Sequence, residues 1–186
     1  MANIDFPRGL QPWGNLLRAT EYKIAASYAT ALYIGDPVIA TGTDRNVEIA
    51  TAGTGHPVLG AILAIYDVNK VPITHWTAST ATAAYVLVAD HPDQLFVAQG
   101  DGDTSYLDIN DCNGNVNLIN GTGSTFNYRS GWEINDSDTG GTTAADQLRL
   151  IRPADVPNNT VGIAHCLWIC RINNHQNSVG IVGVGV

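Results

Sequence analysis

Seventeen carboxylates, five histidines and three cysteines are the side chains of this 186-residue chain that could do chemistry. The carboxylates crowd at Asp101, Asp103, Asp108 and Asp111. Asp101-x-Asp103-x-Ser105 has the opening of a calcium loop, in which alternate oxygens wrap a hard cation. Such a loop also needs glycine at its sixth position and glutamate at its twelfth, and here Tyr106 and Cys112 stand there. Asp111-x-Asn113-x-Asn115 fails in the same way at Val116. These aspartates read as solvated turn residues. His56, His75, His91, His165 and His175 show no zinc spacing such as His-x3-His. His56 and His91 precede proline in expected turns, and His165, inside an apolar run, reads as a hydrogen-bonded core histidine. In a strand around Ile169, Cys166 and Cys170 would share a face about 13 Å apart at ~3.3 Å per residue. A disulfide needs Cα atoms roughly 5.5 Å apart, so these thiols, with Cys112, are expected to be buried and free. No nucleophile elbow, P-loop or dinucleotide fingerprint occurs; Gly100-x-Gly102 and Gly121-x-Gly123 have no helix after them. Trp13, Trp76 and Trp132 could stack on sugars, whereas Trp168 reads as core. The expectation is a protein that is not an enzyme, with no catalytic residue, no metal site and no cofactor.

The elements that would position these residues are strands. Only 14% of the chain is charged, with two lysines and three glutamates, against about 25% in an ordinary domain. Alanine, glycine, threonine and asparagine take the place of the residues that fill exposed helix faces. Glycine and asparagine supply turns, while threonine, valine and isoleucine favour strands. A neutral polar surface of this kind is cheaper to desolvate than a charged one, which suits a protein packed against others. The net charge is −8, and residues 86–146 hold ten acids against Arg129 alone. That stretch would be repelled by nucleic acid and by anionic lipid. No apolar run approaches a membrane span, and the first residues lack the basic-then-apolar pattern of a secretory signal. Synthesis in a cytoplasm is expected.

The pattern along the chain predicts a mainly β fold, either a compact β-sandwich or a small β-barrel, with a loop- and hairpin-rich lobe and extended terminal arms. Residues 1–21 form the N-terminal arm. Pro7, Gly9, Pro12 and Gly14 there prevent a helix, and Phe6, Leu10, Trp13 and Leu16 interleave them. Such a segment either straps over its own core or reaches onto a neighbour. Residues 22–176 form the β domain. Strands are expected at Ala31–Ile34, Val38–Ala40, Val47–Ile49 and Val58–Tyr66, separated by turns. Ala84–Val88 and Leu95–Val97 read as a hairpin across Asp90-His91-Pro92-Asp93. The polar, acidic stretch over about 100–145, with Asn115 and Asn117 on one face of a short strand, reads as a solvent-facing lobe. Gln147–Ile151 resumes the core, and Ile163–Ile172 reads as one long central strand. Residues 177–186 form an apolar tail.

Two stretches carry a family resemblance. Gly35-Asp36-Pro37-Val38, followed by Pro57-Val58-Leu59-Gly60-Ala61-Ile62, resembles an arrangement in head decoration (cement) proteins of tailed bacteriophages. Tyr85-Val86-Leu87-Val88-Ala89-Asp90-His91-Pro92-Asp93 with Phe96-Val97-Ala98-Gln99, Ser130-Gly131-Trp132-Glu133, Gln147-Leu148-Arg149 and Asn173-Asn174-His175-Gln176 looks like virion structural proteins of phages. The likeness spans roughly residues 30–176, and it fades before the tail. It implies a homotrimeric capsid-exterior protein that binds the phage major capsid protein and stabilises the shell, with no nucleic acid or membrane partner. Phe6, Leu10 and Trp13 in the arm and Ile181, Val182 and Val184 in the tail are the expected capsid or subunit contacts. The alternative is a carbohydrate- or receptor-binding β module of a phage tail or head fibre.

Overall fold

Strands form where β-branched and aromatic residues alternate with polar ones, and they pair into two antiparallel sheets. The computed structural model describes residues 2–103, 105–138 and 143–178. The tail residues Ile181, Val182 and Val184 lie outside the described residues. The first sheet runs in the order β1 (Gln11–Pro12), β10 (Leu95–Gln99), β15 (Leu167–Ile172), β14 (Leu148–Pro153), β11 (Asn115–Val116). The second runs β2 (Ala19–Ile24), β9 (Ala84–Ala89), β6 (Gly60–Tyr66), β4 (Pro37–Ala40), β5 (Val47–Ile49), with β7 (Pro72–Ile73) also on β6. Two short pairs, β3 (Leu32–Tyr33) with β8 (His75–Trp76) and β12 (Leu118–Ile119) with β13 (Glu133–Ile134), complete the fold. No α-helix occurs among the described residues, only a 3-10 turn at Ile109–Asp111. A lone bridge, Lys23 to Asn46, brings the outer strands of the second sheet near each other without a ladder. The architecture is therefore sandwich-like and is not a closed barrel.

One core cluster gathers Phe96, Trp168, Leu148, Leu150 and Trp132 from the first sheet and its loops, and takes Ala61 and Ala89 from the second. The other gathers Ile62, Ile65, Val86 and Val88 of the second sheet under Leu32 and Trp76 of the β3–β8 pair. Small residues at 61 and 89 suit the crossing, because β6 and β9 pair there at Ala61 and Ala89 and face the first core.

The strands of the expected hairpin exist, yet they do not pair. β9 lies between β2 and β6, whereas β10 lies between β1 and β15. The intervening Asp90-His91-Pro92-Asp93 is a passage from one sheet to the other. At this passage Asp90 is a buried carboxylate that accepts from Arg18 Nε and from Tyr22 OH, both at 2.8 Å, which ties the end of β9 to its neighbour β2. Burial opposes its charge, but the Arg18 and Tyr22 hydrogen bonds outweigh burial and hold the carboxyl below its usual range. Burial and the Asp90 hydrogen bond together push Tyr22 up to about 12.

The lobe expected over about 100–145 faces solvent only in part: Tyr106, Ile109, Ile119 and Phe126 are exposed, but most of its strand residues are not. Leu107, Val116, Leu118, Trp132 and Ile134 all belong to the first core cluster, and Asn115 and Asn117 are buried. Asn115 Nδ2 donates to Thr143 O at 3.0 Å, and the amide of Asn117 is paired on both its nitrogen and its oxygen. Asn117 Nδ2 donates to Thr54 Oγ1 at 2.9 Å and Asp138 Oδ2 at 2.6 Å. The long strand expected from Ile163 begins only at Leu167, since Gly162 and His165 take left-handed φ values of +76° and +59°. It is central, between β10 and β14, as its apolar character implies.

The N-terminal segment is extended, and it is built into the molecule. β1 pairs with β10, Leu10 N donates to Gly35 O at 2.9 Å, and Trp13 N donates to Leu95 O at 2.8 Å. Gly9 and Gly35 make this crossing possible: both have positive φ, and a Cβ on either would run into backbone of the other strap, Gly35 O or Arg8 O. Leu10 is fully buried in the first core cluster. It is a core residue of this chain, and the expectation that it contacts a partner is withdrawn on that ground.

Candidate functional site

The segment Asn3–Trp13 and the turn Val156–Asn159 enclose a groove of about 460 Å³ on the first sheet. Its apolar lining includes Ile4, Phe6, Trp13, Val97 and Leu167, and its polar lining includes Arg8, Gln11 and Gln99. Polar side chains hold the backbone of the segment in place. Asn3 Nδ2 donates to Thr160 O and Ala164 O, both at 2.9 Å, and Asn3 Oδ1 accepts from Thr160 N at 2.7 Å. Gln99 Oε1 accepts from Phe6 N at 3.1 Å while its Nε2 donates to Ile4 O at 3.1 Å. Phe6 projects toward solvent with the Arg8 guanidinium 4.5 Å from its ring centroid, and Trp13 is half-buried. Of the three expected N-terminal contact residues, the groove brings Phe6 and Trp13 together and excludes Leu10.

His165 closes one end of the groove, and there three ligand-type side chains converge. Donor atoms of Asp5, Glu133 and His165 lie within 4.8 Å of one another. His165 Nδ1 is 3.9 Å from Asp5 Oδ1. His165 is thus a turn residue facing carboxylates, not the core-strand histidine expected. Burial, and then the charges of Asp5, Asp101 and Asp136, push Glu133 up to about 7. Burial and the charges of Asp101, Asp103 and Asp111 push Asp136 to about 7 as well, against one hydrogen bond from Gly102 N–H at 3.1 Å. Nothing in the linear order signals this cluster, because its members come from the N-terminal segment, β13 and the turn before β15.

The remaining motif residues are structural. Asp101 accepts from Asp136 N, Asp103 from Ser105 N and Ser137 Oγ, and Asp108 and Asp111 cap the 3-10 turn reciprocally. Cys112, Cys166 and Cys170 are free, and burial pushes Cys166 up to about 11 and Cys170 to about 12, far from a reactive thiolate. His175 is buried and neutral: burial brings it down to about 4, and its Nδ1 accepts from Asn177 N at 3.0 Å. Trp76, Trp132 and Trp168 are buried, which leaves Trp13 as the tryptophan with a face for a ligand.

No family model matches this chain, and neither a curated protein nor a solved structure matches it.

Proposed function

We propose that this chain is a structural protein of the phage virion that binds the outside of the assembled capsid and stabilises the shell, without catalysis. One observation carries the reading. The first seventeen residues leave Ile4 (74%), Phe6 (43%), Leu16 (49%) and Leu17 (51%) exposed, on a backbone that hydrogen bonds already hold. Large apolar side chains displayed from a fixed backbone mark an interaction surface, and preorganisation lowers the ordering cost of docking. The low charge of the chain supports the same reading, since little has to be desolvated. The partner in this reading is the major capsid protein, and the bound form is a homotrimer. Ile181, Val182 and Val184 enter the proposed interface on their sequence alone.

Co-sedimentation with empty capsids tests it. The wild-type protein is expected to pellet with capsids, and Ile4→Ser with Phe6→Ser to weaken binding at least about tenfold, since an anchor side chain commonly carries 1–2 kcal/mol or more. A double variant that binds like wild type overturns the role of this surface. A wild-type protein that ignores capsids and binds glycans overturns the whole reading in favour of a carbohydrate-binding module, whose stacking residue would be Trp13.

A further inference from the structure

The cluster at the end of the groove has the composition and the shape of a metal site. We propose that Asp5, Glu133 and His165 bind a divalent transition-metal cation, zinc above all, which clamps the N-terminal segment to the β body. The donor set is one imidazole nitrogen and two carboxylate oxygens, all of them ligand types that zinc accepts, and three protein ligands leave an open position. Calcium and magnesium take oxygen ligands almost alone, so the histidine selects against them. Ligand atoms on a tetrahedral ion with bonds of ~2.1 Å stand about 3.4 Å apart. The 3.9 Å between His165 Nδ1 and Asp5 Oδ1 therefore has to close by roughly half an ångström.

A second observation, independent of composition, points to a ligand. Glu133 Oε1 and His165 Nδ1 are buried and have no hydrogen-bond partner among the described residues. Beside them Asp136, only 2% exposed, leaves its Oδ1 unpartnered too. Buried polar atoms are almost always satisfied, and three orphans around one cluster need an explanation. A cation satisfies Glu133 and His165 directly and offsets the charge of Asp136. The alternative, a protonated imidazole paired with Asp5, leaves Glu133 Oε1 without a partner. The imidazole is also held in place. His165 takes a φ of +59°, uncommon for a residue with a side chain, and its ring packs against Gly102, where a Cβ would collide with it. Asp5 is 64% exposed, which gives the ion a way in from solvent.

The cation site stands apart from the capsid reading and is tested on the full chain alone. Protein stripped with a chelator is titrated with zinc, manganese and calcium chlorides by calorimetry and by thermal melting. Zinc is expected to bind one to one and to raise the melting temperature by roughly 5–10 °C at about a hundred times its Kd. Asp5→Asn, a change at an exposed position, and His165→Asn are each expected to weaken zinc binding at least tenfold. Binding of none of the three cations overturns the proposal. So does zinc binding that survives both substitutions, because the ion then sits elsewhere, and so does binding of calcium alone, because that site would not use the histidine. If His165→Asn fails to fold, Asp5→Asn decides.

Discussion

Leu10→Ala is expected to cost about 2–5 kcal/mol of stability, and removal of residues 2–14 to unfold the protein. Leu10 is fully buried in the cluster that also holds Phe96, Trp132 and Trp168. Truncation there leaves a cavity that backbone pinned by β1 and by Gly35 cannot collapse to fill. The deletion removes more than one side chain. It strips β1 from the edge of the first sheet and uncovers Val97 and Leu167 on the floor of the groove. It also leaves Gly35 O without its donor from Leu10 N and Leu95 O without its donor from Trp13 N. Urea denaturation followed by circular dichroism measures both variants. A truncated protein with a wild-type midpoint would show that the segment is a loose arm and that Leu10 is misplaced.

Gln147→Leu is expected to cost about 3 kcal/mol or more, although it preserves volume and adds apolar area. The Gln147 side chain is fully buried and uses all of its hydrogen-bonding capacity. Its Oε1 accepts from Gly53 N at 2.9 Å and Leu118 N at 3.2 Å. Its Nε2 donates to Thr51 O at 2.8 Å and His56 O at 3.1 Å. One amide thus joins the loop after β5 to β12 and to the start of β14. Leucine would leave two buried N–H groups without acceptors, and each such loss costs about 1–3 kcal/mol. Next to it Asn117 Nδ2 donates to Asp146 Oδ1 at 3.1 Å, and Gln147 N donates to Asn117 Oδ1 at 3.3 Å, so the network fails together. Thermal melting reads the effect, and a melting temperature unchanged by the substitution would contradict the network.

These two sites mark where reading the sequence succeeds and where it stops. Local patterns located β4, β5, β6 and β14 to within a residue or two: alternation at Val47-Glu48-Ile49 and a continuous apolar run for β6, which pairs on both sides within its sheet. Partner choice was not local. β9 and β10 were legible as strands, yet their partners are β2 and β6 for the one and β1 and β15 for the other, most of them far along the chain. Composition was half right for residues 100–145, whose loops are exposed and whose strands are mostly not, because asparagine, glutamine and aspartate look alike to a solvent-facing reading whether they meet water or one another. Asn117, Asp146 and Gln147 meet one another. The groove was half legible: Phe6 and Trp13 stood out as aromatic residues between prolines and glycines, while nothing near Leu10 told a strap from an arm. Asp5, Glu133 and His165 were beyond reach, since a site assembled from three distant segments leaves no spacing to find.

The central claim is that this protein coats a capsid, and its copy number in purified virions tests it most directly. Quantitative mass spectrometry against the major capsid protein is the measurement. A decoration protein must occupy a repeated lattice position, so the account predicts copies comparable in number to the capsid subunits or a simple fraction of them. A handful of copies per particle, as a tail or fibre component would give, or no copies at all, would contradict it.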